Sequence, residues 1–250
     1  MVLSNQPEVK LIALDMDGTL LNEFHEVSDE NRQAIKEAEK KGIHVVLSTG
    51  RSLKTARDYV LSLELSSYLV TVNGSEIWGP DGNLIERNPV GTEHIQWMYD
   101  LSKQHGGNFW AISSKDNWNN EMPDDLLSEE WLKFGFHIEE DEIREKVLKE
   151  LNDKGLFEIS NSSLVNIEVN AMGINKAKGL EKVCSLLGIS MKNVMAVGDS
   201  LNDIAMITEA GLGIAMGNAQ DAVKEAADDI TGDNTESGVA QAIHKWVLES

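Results

Sequence analysis

At 250 residues, with 41% hydrophobic and 26% charged side chains, the chain has ordinary globular usage and can bury one large core or two smaller ones, which excludes a disordered protein. Its 42 acidic against 22 basic residues give a formal net charge of −20, which repels nucleic acid, anionic membrane and phosphate esters alike, so an anionic substrate has to be drawn in locally. The single Cys184 excludes an intrachain disulfide framework, and with no N-terminal apolar h-region and no apolar run of about 18 residues the expected location is the cytoplasm.

The first predicted element is an apolar strand over 9–14 that runs into Asp15-Met16-Asp17-Gly18-Thr19-Leu20. Successive strand side chains point to opposite sides, so two carboxylates one residue apart reach a common group only if the chain bends at once, and Gly18 supplies that freedom. Asp and Gly after a strand are also ordinary turn residues. As chemistry, one carboxylate can attack phosphorus and help hold a cation, while the other trades a proton with the leaving oxygen and then with water. A Ser28-capped amphipathic helix to about Lys41 follows, then a strand over 43–47 leading into Ser48-Thr49-Gly50-Arg51, a helix over 52–62 and a strand over 69–72. This alternation predicts an α/β fold with a parallel sheet and helices on its faces. Ligands in such sheets bind beyond the carboxyl ends of the strands, where Asp15, Thr49 and Asn73 fall.

Residues 83–171 read differently: a helix over 92–104, short strands near 108–113 and 117–121, helices over 124–134 and 140–153, and strands over 156–160 and 164–169. They predict an inserted α+β domain, with Gly79-Pro80-Asp81-Gly82 and the segment 170–173 as crossing points and with 1–82 and 172–250 as the core. Most of its aromatic residues are expected in its own core. Trp118, in the polar run Lys115 to Glu121, reads either as a substrate contact or as a half-buried hairpin residue.

The alternation resumes with a helix over 175–188, a strand over 193–197, a helix over 201–209, a strand over 212–215, a helix over 219–227 and a final helix over 235–248. Cys184 falls in the apolar pattern Leu180, Val183, Leu187 and is expected to be a packed thiol. The run Gly173 to Gly179 offers two lysines, of which Lys176 is the candidate for an anion and Lys178 for a solvated face. In Gly198-Asp199-Ser200-Leu201-Asn202-Asp203, Asp199 alone reads as a helix N-cap, and Asp203 one turn further on adds a second carboxylate. The glycines of Gly211 to Gly217 lack dinucleotide-loop spacing, no nucleoside-triphosphatase P-loop is present, and the six histidines show no metal-ligand spacing.

In this order, Asp15-x-Asp17-Gly18-Thr19, the Thr49-Gly50-Arg51 segment, Lys176 and Gly198-Asp199 to Asp203 resemble the haloacid dehalogenase (HAD) superfamily, specifically its subfamily IIB of Cof-like phosphatases, over nearly the whole chain. The resemblance implies a Rossmann-like HAD core with a parallel sheet and an inserted type IIB cap. It implies Asp15 as nucleophile, giving an aspartyl-phosphate, and Asp17 as general acid and base. It also implies Mg²⁺ on Asp15, the backbone carbonyl of Asp17 and Asp199, with Asp203 in the outer shell or ligating directly. Lys176, Thr49, Gly50 and Asn202 would hold the phosphate or its loop, and Arg51 would sit close by or in a helix-end salt bridge. The carboxylate at Asp17 favours phosphate-ester chemistry, since relatives that cleave carbon–halogen or carbon–phosphorus bonds lack it. Two departures stand out: Ala177 replaces the glycine of the family's usual Lys-Gly pair, and the insertion, at about 90 residues, is short. The expected partner is a small phosphorylated metabolite, with sugar phosphates first and phosphoglycolate or flavin-pathway intermediates as rivals. A phosphomutase and a non-catalytic sensor are the other readings. No nucleic-acid or membrane partner is expected, and the chain is expected as monomer or homodimer.

Overall fold

The computed structural model describes residues 8–249, so residues 1–7 and 250 of the expected core lie outside the described part. In chain order the elements are β1 (Leu11–Leu14), α1 (Asp29–Lys40), β2 (His44–Ser48), α2 (Leu53–Ser62), β3 (Leu69–Thr71), β4 (Glu76–Trp78) and β5 (Leu84–Arg87). Then come α3 (Thr92–His105), β6 (Asn108–Ser113), β7 (Asn117–Asn119), β8 (Trp131–His137), α4 (Asp141–Lys154), β9 (Phe157–Ser160) and β10 (Asn166–Ala171). The chain ends with α5 (Lys176–Leu187), β11 (Val194–Gly198), α6 (Ile204–Glu209), β12 (Leu212–Ala215), α7 (Asp221–Ala226), β13 (Asp229–Ile230) and α8 (Gly238–Ile243).

The larger sheet has the order β13-β12-β11-β1-β2-β3-β4-β5. It is parallel from β13 to β3 and antiparallel from β3 to β5. Every residue of β1 is buried, as a strand covered on both faces must be. Ile12 and Leu14 pack with Ile35 of α1 and Val239 of α8, whereas Leu11 and Ala13 pack with Leu180 and Val183 of α5. α1 opens on Ser28, whose hydroxyl accepts from Asn31 N, and α5 opens on Asn175, whose side chain accepts from Lys178 N. The second sheet, order β7-β6-β8-β10-β9, is antiparallel, and α3 and α4 cover one face through Ile95, Met98, Val147 and Leu151 against Phe134, Phe136 and Val169.

Three expectations are corrected. The segment 124–134 is not a helix: it holds a short 3₁₀ turn at Leu126–Ser128 and then the central strand of the cap sheet, β8. Its aromatic residues pair between β6 and β10, so cross-strand packing prevails over helical spacing. The expected boundary at residue 83 falls inside a hairpin: Gly79 to Gly82 forms its tip, with Gly82 at φ +77°, and β5 continues the larger sheet. The final helix is broken, α8 giving way at His244 to a wider π-type turn through Leu248.

The cap sheet turns its other face towards the carboxyl ends of the core strands. Ser75 Oγ donates to Leu132 O at 3.1 Å, and Asn170 Nδ2 donates to Val72 O at 2.9 Å and to Ser75 Oγ at 3.0 Å. A small apolar cluster of Val72, Ile112 and Leu132 completes this seam. Lys54 on α2 also pairs with Asp116 of the β6–β7 turn at 2.8 Å.

Candidate active site

Asp15 follows the last residue of β1, where its N–H still donates to Val197 O at 3.0 Å, so the adjacent strand β11 fixes its backbone. Beyond it the chain turns back, with Leu21 N donating to Met16 O at 2.8 Å. Gly18, at φ +82°, has no room for a side chain: a Cβ there would lie 2.5 Å from Asp199 Oδ2. The two acidic motifs therefore touch through a glycine. On the other motif, Asp203 Oδ2 accepts from Asp199 N at 3.0 Å and Ser200 N at 3.1 Å, which folds that loop around its own carboxylate. Asp199 accepts from Thr19 Oγ1 and Ser200 Oγ, both at 2.9 Å.

Between the motifs stands Lys176, the first residue of α5, completely buried. Its ammonium donates to Asp15 Oδ1 at 2.5 Å and to Asp203 Oδ1 at 2.6 Å. Lys178, the other candidate, lies on the surface paired with Glu181. Burial alone would favour the neutral amine, but Asp15 and Asp203 outweigh it and hold the Lys176 ammonium more tightly than usual. Burial pushes the Asp15 carboxyl well above the usual carboxylate range, Lys176 pulling it back and Asp203 and Asp199 adding to the rise. Burial and then Asp203 push Asp199 up to about 6. Oxygens of Asp15, Asp199 and Asp203 lie within 4.8 Å of one another. Three carboxylates facing one ammonium leave an excess of buried negative charge, and an all-oxygen donor set of this kind fits a hard divalent cation.

Asp17 points to the mouth of the site, half-exposed, where Arg51 grips it with Nε at 2.7 Å and Nη2 at 2.5 Å. The guanidinium also lies over the Tyr59 ring, 5.1 Å from its centre. The two readings for Arg51 coincide in position: it lines the cavity and, just before the start of α2, forms a salt bridge with Asp17. Thr49 is buried, its hydroxyl accepting from Arg51 N at 3.1 Å, and its N–H is already given to Val70 O. Asn202 Nδ2 donates to Asn73 Oδ1 at 3.4 Å, and Asn202 Oδ1 is buried without a hydrogen-bond partner among the described residues.

Asp15, Asp17, Gly50, Arg51 and Asn202 line a cavity of about 290 Å³ between the two sheets. Its far wall comes from Asn117, within the polar run 115–121 whose amide groups the sequence offered as a substrate contact, and from Trp110, Lys133 and Glu168, which the sequence did not single out for the site. Lys133 and Glu168 are buried, and Lys133 Nζ donates to Glu168 Oε2 at 3.1 Å and across the seam to Gly50 O at 2.8 Å. Glu168 also accepts from Ser162 Oγ and from Asn73 Nδ2, each at 2.7 Å. The available signal was a charged residue in the middle of an apolar strand, as in Leu132-Lys133-Phe134 and Ile167-Glu168-Val169. Trp118 goes instead to the helix-covered face, its ring 6.4 Å from that of Trp131.

The sequence profile of haloacid dehalogenase-like hydrolases matches residues 12–133 and 119–243. The chain belongs to that family. Its similarity to a curated relative runs to 61% identity over 241 residues, 96% of this chain and 97% of the other: the 5-amino-6-(5-phospho-D-ribitylamino)uracil phosphatase YcsE of Bacillus subtilis (strain 168). Among solved structures, a haloacid dehalogenase-like hydrolase from B. subtilis superposes with a TM-score of 0.87 at 25% identity, covering 94% of this chain and 99% of that one. The HAD subclass IIB sugar phosphatase BT4131 shares the fold with a TM-score of 0.81 at 24% identity, over 95% and 98% of the two chains. The chain is thus a HAD phosphatase of subclass IIB architecture, a phosphoric monoester hydrolase. Among the described residues no helix of this HAD hydrolase is long and apolar enough to cross a membrane.

Proposed function

We propose that the protein hydrolyses the phosphate monoester of 5-amino-6-(5-phospho-D-ribitylamino)uracil through an aspartyl-phosphate on Asp15. The observation that carries the substrate is the 61% identity, over nearly the full length of both chains, to a phosphatase of that name. It moves a flavin-pathway intermediate ahead of the sugar phosphates expected first from the sequence.

The chemistry is read from the site. Asp15 attacks phosphorus in line, forming a P–O bond to its carboxylate as the ester P–O bond breaks, and the carboxylic acid of Asp17 gives its proton to the departing alkoxide. Water then attacks the same phosphorus, Asp17 takes its proton, and the Asp15–phosphorus bond breaks to release phosphate. Lys176 neutralises part of the charge at Asp15 and fixes its carboxylate, while Arg51 orients Asp17 at the cavity mouth. Asp15, Asp199 and the backbone carbonyl of Asp17 would hold Mg²⁺, which when bound offsets the charge of the phosphoryl oxygens. Asp203, with Lys176 on one oxygen and two backbone amides on the other, orients this set.

The test is phosphate release from the ribitylaminouracil phosphate with Mg²⁺ and with chelator, for wild type, Asp15→Asn and Asp17→Asn. Turnover that needs the metal and disappears in both folded variants is expected. Full activity of Asp15→Asn would refute the nucleophile, and turnover of sugar phosphates alone would refute the substrate.

A further inference from the structure

We propose that the core-facing side of the cap sheet is a stacking subsite for a planar heteroaromatic leaving group, with the Trp110 indole as platform and Asn117 reading the ring edge. This rests on the phosphatase reading above and adds to it the part of the substrate that the cap recognises.

The platform is built by register. Trp110 of β6 pairs with Gly135 of β8, which in turn pairs with Glu168 of β10, so the three lie in one row across the sheet. The indole occupies the space above the glycine: a Cβ on Gly135 would sit 2.1 Å from Trp110 Cε2 and 2.3 Å from Cζ2. Any side chain at position 135 would lift the ring off the strand. With glycine there, one face of the indole rests on backbone, and Trp110 also lines the cavity that holds Asp15. A flat π surface backed by main chain suits a planar ring better than a sugar, whose puckered, hydroxylated faces offer no comparable stacking area.

The edges of the subsite are polar and firmly held. Asn117 of β7 lines the same cavity, and its Oδ1 is buried without a hydrogen-bond partner among the described residues. Such an acceptor is costly unless a ligand brings a donor to it, and a ring N–H or an exocyclic amine does so. On the other side Lys133 and Glu168 hold each other, and Ser162 and Asn73 brace the carboxylate, so a donor and an acceptor stand in fixed positions beside the platform. A cavity of about 290 Å³ has room for a single ring and a short phosphorylated chain. An aminopyrimidine carried on a hydroxylated chain has the required features: a flat ring, N–H donors at its edge, and hydroxyls along the path to Asp15.

The test isolates the ring. Ribitol 5-phosphate carries the same kind of phosphorylated chain without one, so the ratio of kcat/KM for 5-amino-6-(5-phospho-D-ribitylamino)uracil to kcat/KM for ribitol 5-phosphate measures what the ring contributes. Trp110→Leu keeps apolar volume and removes the π face, and it should lower this ratio about ten- to hundredfold, whereas Trp110→Phe should retain most of it. Thermal unfolding of each variant reports folding, and if the leucine variant does not fold, Asn117→Ala should lower the same ratio. A ratio unchanged in folded Trp110→Leu, or near one in wild type, overturns the platform. Pyridoxal 5′-phosphate, with a single ring, separates the two readings: if wild type ignores the aminouracil but turns over pyridoxal 5′-phosphate in a Trp110-dependent way, the named substrate fails and the platform stands.

Discussion

Lys133→Met replaces the cap's buried ammonium by an apolar chain of similar length and leaves Glu168 behind. The two side chains are 3% and 4% exposed, so the surviving carboxylate cannot turn to solvent. In wild type, burial works against the Glu168 carboxylate, but Lys133 and the hydrogen bonds from Ser162 and Asn73 outweigh it and hold it below its usual range. Removing one member of a buried pair costs about 3–5 kcal/mol, because the remaining charge is uncompensated. For a chain of this size that corresponds to a fall in Tm of about 6–20 °C. The pH dependence gives a sharper signature. With its folded value depressed, wild-type Glu168 contributes stability that is present above the unfolded value of 4.5 and lost as pH falls through the folded value. In Lys133→Met burial dominates, the folded value rises above the unfolded one, and stability falls as pH rises through it. The gap between the two proteins is therefore larger at about pH 7.5 than at about pH 5, which still lies above the calculated isoelectric point of 4.6. Urea unfolding followed by tryptophan fluorescence at both pH values measures this gap, and Lys133→Met/Glu168→Gln should recover part of the loss and abolish its pH dependence. A gap equal at the two pH values, or a Tm fall below about 2 °C, would refute the reasoning.

Gly18→Ala places a methyl group 2.5 Å from Asp199 Oδ2 at a φ of +82°. Backbone strain of about 1–3 kcal/mol is expected, together with a larger fall in kcat than in stability because Asp199 is displaced; wild-type kcat in this variant would contradict the contact. Cys184, 2% exposed and with its thiol pushed by burial up to about 11, should stay unmodified by a chromogenic disulfide reagent at neutral pH until the protein is unfolded. Rapid labelling of the native protein would show that its pocket opens.

The sheet core was legible because its strands are short apolar runs ending in chemically distinctive residues. Val9 to Leu14 before Asp15, and Val194 to Val197 before Gly198-Asp199, locate the elements and the reacting ends together. The choice between Lys176 and Lys178 followed from helical phase, since Lys176 shares the inward face of α5 with Leu180 and Val183 whereas Lys178 does not. The cap resisted for a physical reason. In 124–134 the acidic, leucine-containing stretch carries helical spacing, and only pairing with β6 and β10, distant in sequence, makes its end a strand. A bulge between Ile112 and Ser113 shifts the alternation further, which places Trp131 in the helix-covered core while Lys133 faces the cavity. The aromatic residue to single out was consequently Trp110, lying among apolar neighbours, rather than Trp118 in its polar run. Its role depends on a glycine 25 positions away, a relation visible only once the strands are in register.

The seam between cap and core is joined mainly by amide, hydroxyl and charged groups, with Val72, Ile112 and Leu132 as its small apolar patch. Water can take the place of such bonds almost one for one, so separating the two sheets exposes little apolar surface. Any parting of the cap from the core would then carry only a small heat-capacity change, and its equilibrium would drift little with temperature. Access to the cavity would be governed by whatever competes for those polar groups, including the hydroxyls of an arriving substrate, rather than by hydrophobic adhesion.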